Sequence, residues 1–265
     1  MKKQLSSIDL NCITKELGVL KDSRIDKIYQ PDNASLIFSF YKTGVGKKIL
    51  RINIGQSLFL ARGKEDYDET LGFGMFLRKH LDGYFLRDIS QIKPERILKL
   101  SFKIKDGNKT LYLEFFGRGN AILCDENESI LNALSHHEFR DRTIAPKAKY
   151  KYPVMGYNSF EIDETSLTEA FKNSKKGTLV TCLAIELGLG GVYAEEVCML
   201  SGIDKSQSPK EIDEKKMQLV LSSIEKMISR KAEPMAILEG GNPIDAVPFD
   251  MKFYSGYYKK KFQTF

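Results

Sequence analysis

The 265-residue chain has no tryptophan, three histidines and four cysteines. Each shortage removes a class of chemistry. Cys12, Cys124, Cys182 and Cys198 show no Cys-x-x-Cys spacing, so a zinc site is not expected and no disulfide framework is suggested. All four fall in apolar periodic segments and read as small core residues. His80, His136 and His137 make no metal-ligand spacing with other donors, and His80 lies on an apolar helix face. There is no Ser-His-Asp order, no Walker loop and no paired-carboxylate site. No catalytic residue, cofactor, metal or small-molecule substrate is therefore expected, and the chain does not read as an enzyme. No stretch approaches the ~18 apolar residues that span a bilayer. Lys2 and Lys3 are followed by an amphipathic segment rather than an apolar run, so no signal peptide is read and the expected location is cytoplasmic, away from membranes.

What is present fits a globular protein with a real core: 42% hydrophobic and 29% charged residues. The net charge is +6, from 41 Lys+Arg against 35 Asp+Glu. That is compatible with a nucleic-acid partner without establishing one. Ser6-Ser7-Ile8-Asp9 opens a helix, with Asp9 three residues after a capping serine. Alternating Ile, Leu and Phe mark strands near residues 35–41, 48–54 and 57–62. Phe73, Phe76, Leu77, His80 and Leu81 lie at helical spacing. Two alternating runs, 97–104 and 110–116, meet around Asp106-Gly107 as a hairpin, and residues 121–124 and 130–134 form the next.

The pattern changes after Pro153. Ser166-Leu167-Thr168-Glu169 reads as a capping box, and a helix over residues 179–187 stops at Gly188-Leu189-Gly190-Gly191. A second helix runs from near Tyr193 to Gly202. Ser208-Pro209-Lys210-Glu211 reads as a further helix start, and Glu239-Gly240-Gly241-Asn242 as a tight turn between short strands. The expectation is an α+β domain over residues 1–160 and a mainly helical domain over 161–265 with a short C-terminal hairpin.

Two blocks are the most specific: residues 75–83, MFLRKHLDG, and residues 113–131, LEFFGRGNAILCDENESIL, with Glu95-Arg96-Ile97 between them. In that order they resemble the NFACT family. The resemblance implies a factor of ribosome-associated quality control that binds tRNA on a large ribosomal subunit obstructed by peptidyl-tRNA. It also implies support for mRNA-independent C-terminal tailing of stalled nascent chains, with the ribosome supplying the chemistry. Family members continue into a coiled coil and a further domain. Residues 257–265 show no heptads, so the chain is expected to be an N-terminal piece or a short member.

The resemblance carries residues with it. The family has an Asp-Arg pair where Glu95-Arg96 stands, implicated in tRNA engagement and tail elongation; Glu95 keeps the charge but changes the reach. Asp9 matches a further acidic position implicated in tailing, and is equally readable as a helix-start residue. Arg96 can fork onto phosphate or a base edge, while Glu95 or Asp9 can accept from an exocyclic amine or a ribose hydroxyl. Arg118, between Gly117 and Gly119, is an exposed tRNA contact or a hairpin corner. Arg140, Arg142, Lys147, Lys149 and Lys151, interleaved with Tyr150 and Tyr152, suit RNA backbone binding with stacking, or form a solvated linker. Gly188, Gly190 and Gly191 precede a helix N-terminus, which suits phosphate, or make a plain interhelical turn.

That turn within its two helices resembles a helix–two-turn–helix or helix–hairpin–helix element. An α+β domain followed by it also resembles formamidopyrimidine-DNA glycosylases, which supply the alternative function of a DNA-repair lyase. Those enzymes attack with an N-terminal proline beside a glutamate and close on a zinc finger. Here positions 2 and 3 are Lys2 and Lys3 and no such ligand cluster exists, so the scaffold is shared and the chemistry is not.

Overall fold

The computed structural model describes residues 2, 4–63, 70–105, 107–154 and 156–265. Lys3, and Asp106 of the expected hairpin turn, lie outside the described residues. The chain sorts into two compact units that interleave in sequence. One comprises Met1–Cys12, Lys93–Glu95 and Met155–Phe265; the other comprises Ile13–Ile92 and Arg96–Val154.

The second of these is built on a nine-stranded antiparallel sheet. Its strands are β1 (Arg24–Asp32), β2 (Ser35–Lys42), β3 (Gly46–Asn53), β4 (Ser57–Ala61), β5 (Phe85–Ile92), β6 (Ile97–Ile104), β7 (Gly107–Glu114), β8 (Asn120–Cys124) and β9 (Ile130–Ala133). Their order across the sheet is β4-β3-β2-β1-β5-β6-β7-β8-β9. β10 (His137–Glu138) and β11 (Thr143–Ile144) pair separately. Leu36, Phe38 and Phe40 on β2, with Leu50 and Ile52 on β3, are wholly buried. Strands β1 and β5 are not marked by sequence alternation, because both carry irregularities. β1 shifts register between Ile25 and Lys27 and again between Tyr29 and Asp32, and β5 between Leu86 and Asp88. Each extra residue switches the inward face and erases the period-two signal.

Helix α2 (Gly72–Leu81) contains most of the MFLRKHLDG block and lies close against β1. A methyl group on Gly74 would meet the Gln30 Cβ at 2.7 Å, and the Gly74 N–H donates to Gln30 Oε1 at 2.7 Å. Arg78 donates to the Ile28 carbonyl at 2.5 Å and covers the Tyr29 ring. The arginine of this block therefore fastens helix to sheet.

In the other unit the core gathers Leu183, Leu187, Tyr193, Val197, Val220, Ile224 and Ile237, all wholly buried. The elements that build this unit are α1 (Ser7–Glu16, through Cys12), α3 (Glu164–Asn173), α4 (Leu179–Thr181), α5 (Gly191–Ser201), α6 (Glu214–Ile228), β12 (Met235–Glu239), β13 (Asn242–Val247) and β14 (Tyr258–Lys261). α4 runs on into a π-helical turn over Cys182–Glu186. The three strands form a sheet in the order β13-β12-β14. Gly240 and Gly241 both take positive φ, +56° and +84°, as a two-residue hairpin requires.

Two helix starts differ from expectation. α3 begins at Glu164, capped by Asp163, whose carboxylate accepts from the Ser166 N–H at 2.7 Å. Ser166 is therefore inside the helix and not its cap. α6 begins at Glu214, capped by Asp213 through the Lys216 N–H at 2.8 Å. Pro209–Glu211 forms a separate 3-10 turn, because the extended backbone at Ile212 interrupts any continuation. Among the described residues no helix is long and apolar enough to cross a membrane.

Candidate nucleic-acid interface

Asp9 is wholly buried. Its carboxylate accepts from Lys2 Nζ at 2.7 Å, from the Tyr193 hydroxyl at 2.5 Å and from the Ser6 N–H at 2.8 Å. The Asp9 N–H returns a bond to Ser6 Oγ at 3.1 Å, completing a reciprocal cap on α1. Lys2 Nζ also donates to the Ala246 carbonyl at 2.8 Å and lies 3.8 Å from Asp245. Asp245 accepts from the Lys2 backbone N–H at 3.1 Å and from the Tyr254 hydroxyl. One ammonium thus sits between two inward carboxylates, each also bound by a tyrosine. Burial, and then the adjacent Asp9 charge, hold the Tyr193 phenol far above its ordinary range, so it stays a donor. A carboxylate satisfied in this way is not available to a ribose hydroxyl or a base amine. Asp9 instead ties the start of α1 to α5 and, through Lys2, to β13.

The glycine turn lies in the same unit. Gly188 and Gly190 take φ of +67° and +79°, and Gly190 caps α5. The Leu189 and Gly190 amides are already used, donating to Leu183 and Ala184 carbonyls at 3.3 and 3.0 Å. Ser7 Oγ donates to the Gly188 carbonyl at 3.1 Å. The turn is therefore not the open row of amides that its glycines suggest. Gly191 itself is exposed at the first position of α5. Glu95 belongs to this unit and is half-buried.

In the sheet unit, Arg96 precedes β6 and its carbonyl accepts from the Phe115 N–H at 2.8 Å. Ile97 pairs with Glu114, and Glu114 pairs with Asn120. The half-buried Arg96 and the exposed Arg118 therefore occupy the same end of three adjacent strands. The corner carrying Arg118 is set by backbone contact: a methyl on Gly119 would come 2.3 Å from the Gly55 nitrogen.

The basic run divides. Arg140, Lys147, Lys149 and Lys151 are exposed. Arg142 is not: it is 6% exposed and its guanidinium grips both oxygens of buried Glu114, at 2.6 and 3.1 Å. Tyr150 donates to the same carboxylate at 3.0 Å and stacks on Tyr112 at 4.0 Å. Arg142 and Tyr150 thus belong to the core beneath the run, which corrects the reading of both as RNA contacts. A buried carboxylate needs a compensating cation, and Glu114 lies 28 residues away, beyond any local pattern.

The sequence model of the NFACT N-terminal and middle domains matches residues 6–265. The chain belongs to the NFACT family. It is 29% identical over 279 residues to the archaeal Rqc2 homolog aRqcH of Methanocaldococcus jannaschii, covering all of this chain and 41% of that protein. It is 29% identical over 218 residues to the ribosome quality control complex subunit NEMF homolog of Drosophila melanogaster, covering 81% of this chain and 22% of that one. The chain thus spans less than half of the archaeal relative and about a fifth of the Drosophila one. Among solved structures, the fibrinogen binding protein from Staphylococcus aureus superposes with a TM-score of 0.78 at 19% identity, over 98% of this chain and 95% of that one. That similarity shows a shared mixed α+β fold.

Within this NFACT chain the structure brings Ser6 and Ser7, at the start of the helix that carries Asp9, against Gly190 and Gly188, and places Arg96 and Arg118 at the same end of β6–β8. Lys2, Tyr193, Asp245 and Tyr254, which complete the surroundings of Asp9, were not legible as site residues. The only local signal was that Tyr193 lies in the first turn of a helix that follows a glycine turn.

Proposed function

We propose that this chain is the tRNA-positioning portion of a ribosome-associated quality control factor, acting on large subunits obstructed by peptidyl-tRNA and supporting mRNA-independent tailing. The observation that carries the reading is the family match over residues 6–265, with relatives named as ribosome quality control subunits. In this reading the protein makes no covalent chemistry. Arg96 and Arg118 engage tRNA from one end of β6–β8, with Glu95 contributing discrimination. Arg140, Lys147, Lys149 and Lys151 hold phosphates through charge. Asp9 acts indirectly, by holding α1, Lys2 and the head of α5 in register.

The glycosylase alternative finds no support at Lys2, whose ammonium is taken up by Asp9 and the Ala246 carbonyl. The test of the proposal is tRNA binding by Arg96→Ala, Glu95→Asp and Glu95→Lys proteins. Loss of the Arg96 contact removes about 1.5–3 kcal/mol, roughly tenfold to a hundredfold in affinity. Glu95→Asp should be tolerated. Glu95→Lys should lose selection among tRNAs while keeping bulk affinity. Wild-type binding and selection by both folded Arg96→Ala and Glu95→Lys would refute the assignment.

A further inference from the structure

A second basic feature uses none of the residues assigned above. Arg230, Lys231, Lys252 and Lys259 line an open groove of about 490 Å³, against Glu233 and Asp250 as its acids. Its floor is built rather than accidental. Arg230 covers the Phe249 ring at 5.4 Å, donates to the Asp250 carbonyl at 2.7 Å and lies 3.6 Å from Glu196. Glu196 is wholly buried; one oxygen accepts from the Phe253 N–H at 2.9 Å, and the other accepts no hydrogen bond. The guanidinium is the charge that compensates that oxygen, and it is thereby fixed in place with N–H donors to spare. Lys259 is likewise pinned, by Asp250 at 2.6 Å. Lys231 and Lys252 are exposed at the rim; on β14 Lys260 is exposed, while Lys261 pairs with Glu233 at 3.3 Å.

A fixed guanidinium with exposed lysines around it suits phosphate oxygens: the fork gives direction and the lysines give charge. We propose that this groove binds the phosphodiester backbone of RNA, as a contact made by residues other than Arg96 and Arg118. The proposal rests on the tRNA reading for its ligand and on the groove for its location. The spread of cations along groove and strand favours a chain of phosphates over a single one.

The test compares tRNA binding by the 265-residue chain and by Lys231→Glu/Lys252→Glu across a salt series. Neither lysine is buried, so the melting temperature should not change. Affinity should fall about tenfold and the slope of log affinity against log salt should flatten by about two units. If the unmutated chain binds tRNA and the double variant matches it in affinity and slope, the groove proposal falls and the tRNA reading stands. If the unmutated chain does not bind tRNA, both fall.

Discussion

Replacing Asp9 with alanine separates an indirect role from a direct one. The carboxylate accepts three hydrogen bonds, from Lys2, Ser6 and Tyr193. Its removal strands the Tyr193 hydroxyl, which has no exposure to water. An orphaned buried donor costs about 1–3 kcal/mol, and loss of the reciprocal cap on α1 adds about 1 kcal/mol. Lys2 keeps the Ala246 carbonyl and the nearby Asp245, so its loss is smaller. The expected total is about 2–4 kcal/mol, a fall in Tm of about 4–16 °C for a chain of this size. Tyr193→Phe leaves Asp9 two donors and should cost about 1 kcal/mol. The assay is urea unfolding of Asp9→Ala, Asp245→Asn and Tyr193→Phe, followed by tRNA binding at a temperature where all are folded. Partial binding defects should rank with the stability losses. The reasoning is refuted if Asp9→Ala is as stable as wild type, or if it alone loses tRNA binding while equally destabilised neighbours retain it. The first result would remove the structural role of Asp9, and the second would mean that Asp9 touches the ligand.

Arg142→Ala should destabilise by about 3–5 kcal/mol, because it leaves Glu114 as an uncompensated buried charge, whereas Lys149→Ala should stay within about 0.5 kcal/mol; denaturant midpoints decide between a core and a surface role. Gly119→Ala should cost about 2–4 kcal/mol, combining a left-handed backbone with a methyl forced into Gly55. Gly117→Ala should cost only about 1–2 kcal/mol, since its φ is +59° but nothing lies within 4 Å; thermal melts of the pair test this. Burial first, and neighbouring carboxylates next, raise the phenols of Tyr150, Tyr193 and Tyr254 above their usual value of 10.0. The unfolded chain ionises them near pH 10 and the folded one does not. Their contribution is therefore intact below about pH 10 and lost above it, and phenolate absorbance in an alkaline titration should rise together with unfolding.

Local pattern alone determined much of this protein. The runs at 35–41 and 48–54 are strands because their apolar residues alternate, which puts Leu36, Phe38 and Phe40, and Leu50 and Ile52, on one buried face. The Gly240-Gly241 turn follows from the positive φ that a tight hairpin needs. The breaks at Gly188–Gly191 and Gly202 follow from glycine ending helices, and the two quoted blocks carried the family. The tertiary structure decided what the charges do. Arg140, Arg142 and Lys149 are indistinguishable in a basic run, yet Arg142 turns inward because Glu114 is buried on β7. Asp9 is a plausible acceptor in sequence, but Lys2 and Tyr193 close around it from positions 7 and 184 residues away in the chain. Strands β1 and β5 were hidden by register shifts that only their partners reveal. Periodicity reports which face of an element is buried. Which distant group satisfies a buried charge is set by chain topology, which no local pattern reports.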